Sequence, residues 1–146
     1  MIKLYIENDA IIKIRDADKN TPLIHVAKNI YKKPDTVEIC KILIKAGSDP
    51  FEKDEKYHNG LFHAVINNDN DLMRMFIKVP GFDINALDKI KRNVLIYAIL
   101  HDNNDAAETL IASGIELKYT DKYGKMPRCY AIEKDNDYIL ELIEKN

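Results

Sequence analysis

"NTPLIHVAKN" runs from Asn20 to Asn29. Thr21 has the side chain of a helix cap, and Pro22 falls at the first helical position, where a missing N–H costs nothing. As a single occurrence this is a common helix start, and its weight depends on recurrence. It does recur, as "NGLFHAV" from Asn59, "NVLIYAI" from Asn93 and "MPRCYAI" from Met126. Counted from Thr21, the starting points lie 38, 34 and 33 residues apart. An aspartate stands five residues before each start: Asp16, Asp54, Asp88 and Asp121. A second apolar segment follows each: "VEICKILIKAGSDP", "DLMRMFIKVPGFDI", "AAETLIASGIEL" and "YILELIEKN". In the first three, that segment ends at a glycine, Gly47, Gly81 or Gly114.

Each unit reads as two helices. Leu61, Ala64 and Val65 recur at helical spacing in the first. Polar breaks such as "NNDND" (Asn67 to Asp71) and "HDNND" (His101 to Asp105) then supply residues that tolerate left-handed backbone and cap the next helix. Ile39, Ile42, Leu43 and Ile44 give the second helix a wide apolar face, and the glycine ends it. One such unit has too little core to fold alone, so neighbours must stack.

The unit resembles the ankyrin repeat, with its best matches at Thr21-Pro22-Leu23, Val37 to Asp49 and Gly81 to Asp88. The resemblance implies an all-α ankyrin-repeat solenoid: stacked antiparallel helix pairs with β-hairpin fingers projecting at each aspartate. It covers nearly all of the chain as a single domain, 1–146, with a half repeat at 1–15 and repeats at approximately 16–53, 54–87, 88–120 and 121–146. "MIKLYIEND" aligns over "ICKILIKAG", so residues 1 to about 8 are expected to form the second helix of a preceding repeat. "AIIKIRD" then becomes a strand leading to the first finger, and about nine helices are expected in all.

The departures are specific. Where the family has a histidine after Thr-Pro-Leu, this chain has Ile24, Phe62, Ile96 and Cys129, so the contact there should be mostly apolar. Asn59 and Asn93 replace the capping threonine and can still cap. Met126 cannot, although Pro127 keeps the first-turn position. Repeat one carries about five extra residues within "IYKKPDT", and repeat two carries one near Pro80.

The 146 residues carry a net charge of −2, which gives no global pull toward nucleic acid or membrane. Cys40 and Cys129 lie in apolar stretches and read as reduced, buried thiols of a cytosolic-type compartment. "MIKLYIENDAII" is interrupted by Glu7, Asn8 and Asp9 and is no signal peptide. No stretch approaches the roughly 20 apolar residues needed to span a bilayer. A cytoplasmic protein is expected.

Catalytic signatures are missing from the sequence. The five glycines are scattered, mostly at repeat turns, with no phosphate-binding pattern. Neither C-x-x-C nor H-E-x-x-H occurs. His58 and His63 lie five apart, but one maps to a finger and the other to a helix, so they read as unrelated. The expectation is a non-enzyme with no catalytic residue, cofactor or metal.

The resemblance implies instead that fingers and first helices line a concave groove. Twenty positions match that face, and eight are Lys or Arg against three Asp or Glu, a net of +5. The candidate contacts are Arg15, Lys28, Lys53, Lys56, His58, Lys89, Ile90, Arg92, Leu100, Lys122, Tyr123 and Lys125. The expected partner is another protein with an acidic surface, steered to the basic row and met by a monomeric scaffold. Charged fingers kept for solubility alone would look similar. Nucleic acid is the second reading, disfavoured by the overall negative charge; a regulatory part of a larger enzyme or effector is the third. Finally, His25, His63, Tyr97 and Tyr130 share one place on the four first helices. They read as a ladder of rings, either at a contact surface or, by preference, in a partly buried seam between repeats.

Overall fold

The computed structural model describes residues 11–29 and 34–146. Among them are a 3-10 turn at Ile11–Lys13, eight α-helices and no strand. The helices are α1 (Pro22–Lys28), α2 (Thr36–Lys45), α3 (Gly60–Ile66), α4 (Asn70–Ile77), α5 (Val94–Leu100), α6 (Asn104–Ala112), α7 (Pro127–Glu133) and α8 (Asp137–Lys145). The chain divides into two compact units, Met1–Phe82 with α1–α4 and Asp83–Asn146 with α5–α8. In the first, α1 packs on α2 and α3, while α4 packs on α3 and α2. The second repeats this plan, with α5 on α6 and α7, and α8 on α7 and α6. All-α repeat packing is thus observed.

Local chemistry starts the helices where the sequence placed them. Thr21 Oγ1 accepts from the Ile24 N–H, Asn59 Oδ1 from those of Leu61 and Phe62, and Asn93 Oδ1 from that of Ile96. Met126 makes no side-chain cap, and α7 begins on Pro127 alone. The polar breaks also behave as read. Asn68, Asp102 and Asp135 take positive φ, and the next residues, Asp69, Asn103 and Asn136, cap α4, α6 and α8. Each of these caps satisfies an N–H that no helical carbonyl can reach.

Helix ends differ between repeats. At α2 and α6, Gly47 and Gly114 take φ of +105° and +82°. The following residues, Ser48 and Ile115, donate back to Leu43 and Leu110, a left-handed glycine stop. The third glycine does not act this way. Helix α4 ends at Ile77, Lys78 stays right-handed, and Gly81 lies beyond Pro80. Proline has no N–H to complete the stop, so the turn is delayed.

The core of the first unit is built from residues such as Leu23, Ile24, Leu61, Phe62, Leu72, Met73 and Phe76, all at most 2% exposed. Gly60 permits it, because a Cβ there would overlap the Phe76 ring. In the second unit Leu95, Ile96, Ile99, Leu110 and Ile139 are fully buried. The apolar replacements of the family histidine are borne out at Ile24, Phe62 and Ile96, whereas Cys129 is only half-buried. Cys129 therefore corrects the expectation of two buried thiols. Cys40 meets it: burial pushes its thiol up to about 12, which leaves it inert.

Two further expectations change or fall outside the described residues. Ile11–Lys13 forms a 3-10 turn, not a strand, with Ile12 buried against Gly47. The leading helix over residues 1 to 8 and most of the "IYKKPDT" insertion lie outside the described residues.

Candidate protein-interaction surface

Four fingers project from the helix pairs: Asp16–Asn20, Asp54–His58, Asp88–Arg92 and Asp121–Lys125. They share one hydrogen-bond pattern. Each aspartate N–H donates to the carbonyl four residues on, at 3.1, 2.9, 3.0 and 3.0 Å in chain order. Each Oδ1 accepts the backbone N–H groups two and four residues on, at 2.8–3.0 Å. The residue between them turns left-handed: Lys19 (φ 63°), Tyr57 (66°), Lys91 (60°) and Gly124 (73°). Only the fourth finger uses glycine, the residue that adopts this conformation without strain.

The second carboxylate oxygen has its own partner. Oδ2 of Asp16 meets His25 Nε2 at 2.8 Å, and Asp54 meets His63 Nε2 at 2.9 Å. The Tyr97 and Tyr130 hydroxyls donate to Asp88 and Asp121 at 2.6 and 2.5 Å. The ring column has a role that the sequence did not suggest. Each ring fastens a finger to the first helix of its own repeat. The signal was present as a nine-residue Asp-to-ring spacing in all four repeats, but aspartates and rings were read separately.

Fingers are also joined to each other within each unit. The Glu55 N–H donates to the Asp18 carbonyl, and the Lys122 N–H to the Ile90 carbonyl, both at 2.9 Å. These bonds occupy equivalent positions, one residue past the aspartate in one finger and two past it in the preceding finger.

The electrostatics follow from burial and from these bonds. Burial drives the His63 pKa down to about 4 against the pull of Asp54, so the ring is neutral. An ionised carboxylate only accepts, so His63 Nε2 carries the hydrogen. Burial works to raise the Asp54 carboxyl. The His58 N–H, His63 and the Lys56 N–H outweigh it and hold the carboxyl below its usual value. Asp16 is lowered to about 2, chiefly by the Asn20 side chain. Asp121 is also depressed: burial opposes, but Tyr130, two backbone N–H groups and Arg92 prevail.

The candidate contacts separate into groups. Lys56, Lys89, Lys122 and Tyr123 are exposed, Tyr123 at 64%. Lys53, Ile90 and Leu100 are half-buried. Lys28 is exposed, with its ammonium 3.4 Å from Asn20 Oδ1. Arg15 is ion-paired with Glu52 and donates to the Lys19 and Lys53 carbonyls. Lys125 is paired with Glu133 at 2.6 Å.

Two placements correct the sequence reading. His58 is 6% exposed and stacked on Phe62, so it is not presented at the surface. Arg92 is turned inward onto the fourth repeat, donating to the Tyr130 hydroxyl at 2.8 Å with Nε 3.4 Å from Asp121 Oδ2. His58 and His63, read as unrelated, are neighbours with ring centres 5.7 Å apart.

Sequence reasoning missed the apolar side chains beside the fingers. Phe51 and Tyr57 are 44% and 49% exposed and line an open cleft of about 420 Å³ with Arg15, Lys19 and Lys53. A second groove, about 570 Å³, runs between α2 and α4, away from the fingers, with Ile44, Met75 and Val79 among Lys41, Lys45, Arg74 and Lys78. No helix among the described residues is long and apolar enough to cross a membrane.

The family model described as ankyrin repeats (3 copies) matches residues 30–121 and 61–146. A protein of Acanthamoeba polyphaga mimivirus, named for its ankyrin repeats, is 35% identical over 82 residues, 56% of this chain and 11% of its own length. A palmitoyltransferase of Lachancea kluyveri is 26% identical over 151 aligned residues, 100% of this chain and 20% of its own. A fowlpox virus protein, also named for ankyrin repeats, is 26% identical over 100 residues, 68% of this chain and 69% of its own. The chain thus spans a fifth or less of the first two relatives. With the finger pattern, the helix pairs and the family match in agreement, the chain belongs to the ankyrin-repeat family, whose repeats generally serve as protein-interaction modules.

Proposed function

We propose that this repeat array is a non-enzymatic scaffold that binds another protein through its fingers and first helices, and that the partner presents an acidic surface. One observation carries this reading. In each unit a finger tip combines an exposed lysine with an exposed tyrosine: Lys56 with Tyr57, and Lys122 with Tyr123. Large rings left in water beside cations suit a contact surface, because they bring area at low entropic cost and the cations steer an acidic partner. The finger backbone, fastened at both aspartate oxygens, lowers the backbone share of the ordering cost on binding. Action as a monomer in the cytoplasm belongs to the same reading, which the two thiols not joined in a disulfide suit.

Charge reversal tests it. Once a partner is captured by cross-linking from source cells, Lys56→Glu with Lys122→Glu should slow association by about tenfold at low salt, and less at about 0.5 M salt. Lys41→Glu with Lys45→Glu on α2 should leave the rate unchanged. A loss from the α2 pair instead would move the contact to the α2–α4 groove and overturn the reading. The match of the whole chain to a fifth of a palmitoyltransferase favours a second reading, in which such an array recruits substrates for a catalytic domain carried elsewhere.

A further inference from the structure

Asp54, His58 and His63 form a cluster that no other finger reproduces. Their potential ligand atoms all lie within 4.8 Å of one another, and the residues are 3%, 6% and 6% exposed. At the corresponding places the first finger has Asp16, Asn20 and His25, the third Asp88, Arg92 and Tyr97, and the fourth Asp121, Lys125 and Tyr130. Only the second brings two imidazoles to one carboxylate.

We propose that Asp54, His58 and His63 bind a divalent transition-metal ion, Zn²⁺ by preference. Two imidazole nitrogens and one carboxylate oxygen are a borderline donor set that suits Zn²⁺ in four-coordinate geometry, with the fourth place left to water. Ca²⁺ and Mg²⁺ require more oxygen ligands than the cluster holds. The surroundings hold the donors in place. Asp54 Oδ1 is fixed by the backbone N–H groups of Lys56 and His58 at 2.8 and 3.0 Å, which leaves Oδ2 to face the histidines. The His58 ring is held parallel to Phe62, with centres 4.9 Å apart. Such outer contacts orient ligands in metal sites.

The ion takes the place of the hydrogen now shared by His63 Nε2 and Asp54 Oδ2. That hydrogen moves to His63 Nδ1, so the ring stays neutral and no net proton is released. The two atoms stand 2.9 Å apart and must part to about 3.3 Å, the separation that tetrahedral Zn–N and Zn–O bonds of about 2.0–2.1 Å require. Lys28, whose charge also acts on His63, opposes the ion. Its ammonium is engaged by Asn20.

The experiment uses the chain freed of metal by a chelator and titrated with Co²⁺ and Zn²⁺. Wild type should bind one equivalent of Co²⁺ with the visible bands of a tetrahedral ion, and Zn²⁺ should displace it. The test variants come from the chain's own repeats. His58→Asn copies Asn20 of the first finger, and His63→Tyr copies Tyr97 and Tyr130, which hold their aspartates by a hydroxyl. Both should keep the helical spectrum and weaken binding at least tenfold. If His63→Tyr does not fold, His58→Asn decides alone. Octahedral Co²⁺ spectra, no saturable binding, or equal affinity in wild type and His58→Asn would overturn the proposal.

Discussion

Fingers Asp54–His58 and Asp121–Lys125 have the same backbone hydrogen bonds and are closed by different chemistry. In the first, a neutral histidine with a pKa near 4 donates to the aspartate from a nearly sealed site. In the other, the carboxylate takes a tyrosine hydroxyl and the Arg92 guanidinium, with the arginine 5.1 Å from the Tyr130 ring and 5.8 Å from that of Tyr123. The backbone requires only a donor at the tip of a flat side chain nine residues after the aspartate. Which donor it is sets how each finger responds to protons, cations and metals. The comparison separates what the fold demands from what each repeat is free to vary.

The largest expected effects test whether both units share one packing logic. Leu110→Ala, at a fully buried site, should cost about 4–5 kcal/mol, and Leu43→Ala, 7% exposed, about 2–4 kcal/mol. Lys56→Ala and Lys122→Ala should each cost no more than about 0.5 kcal/mol in the same denaturant titrations. Equal losses at leucines and lysines would mean the helix faces are assigned wrongly.

Asp54→Ala and Asp121→Ala probe the shared closure itself. Each strips two backbone N–H groups and a ring donor of their acceptor, at an expected cost of about 2–4 kcal/mol by chemical denaturation. Asp121→Ala also leaves the Arg92 guanidinium without its carboxylate, so it should be the costlier of the two. The reverse order would show that Arg92 contributes nothing to the fourth finger.

Protons should pull the two fingers apart. His63 has a folded pKa of about 4 against 6.5 for the ordinary group, so the unfolded chain binds the extra proton first. Stability is therefore retained above pH 6.5 and falls as pH drops toward 4, by about 3 kcal/mol at about 1.4 kcal/mol per pH unit. Asp54 adds to the loss further down, since its folded pKa is depressed below 3.8. In the second unit Tyr97 and Tyr130 are raised above 10, by burial first and by their aspartates next. Their contribution persists below pH 10 and is lost as pH rises beyond it. Hydrogen exchange read unit by unit on metal-free protein should show the first unit loosening between pH 6.5 and 4 and the second in alkali. His63→Tyr should remove much of the acid loss above pH 4.

The smallest effects concern the left-handed finger residues. Lys91→Gly should stabilise by up to about 1 kcal/mol, whereas Gly124→Ala should destabilise by about 1–2 kcal/mol, both by thermal melts. A penalty for Lys91→Gly would show that its side chain, not its backbone, matters to the third finger.

Helix positions were legible because caps and breakers act locally: Thr21, Asn59 and Asn93 needed no tertiary partner to be read as starts. The regular spacing then made the stacking legible as well. The candidate surface was less so. His58 sits in a finger, where exposure is the usual rule, but a stacking contact with Phe62 buries it. Arg92 looked like a surface cation, and the partners that turn it inward, Tyr130 and Asp121, lie 38 and 29 residues away. Phe51 drew no attention in the sequence, yet it stands exposed beside Phe82. Arg92 was decided by contacts distant in sequence and His58 by a ring four residues on, and the spacing read for the fold carried no trace of either.

The double attachment of each aspartate has a consequence for how this chain could acquire new partners. One side chain holds the loop through Oδ1, at the residues two and four on, and anchors it to a helix through Oδ2, so the side chains of the three residues in between carry little of the framework. Ala17 to Lys19, Glu55 to Tyr57, Lys89 to Lys91 and Lys122 to Gly124 form four short cassettes whose first two side chains can be rewritten while the frame stands, the third position being limited to residues that take a left-handed backbone. Their backbone still carries the tip-to-tip bonds, which any non-proline residue can supply at the donor position. Recognition and folding are thereby encoded at different positions of the same turn, and a change of target need not pass through an unstable intermediate sequence.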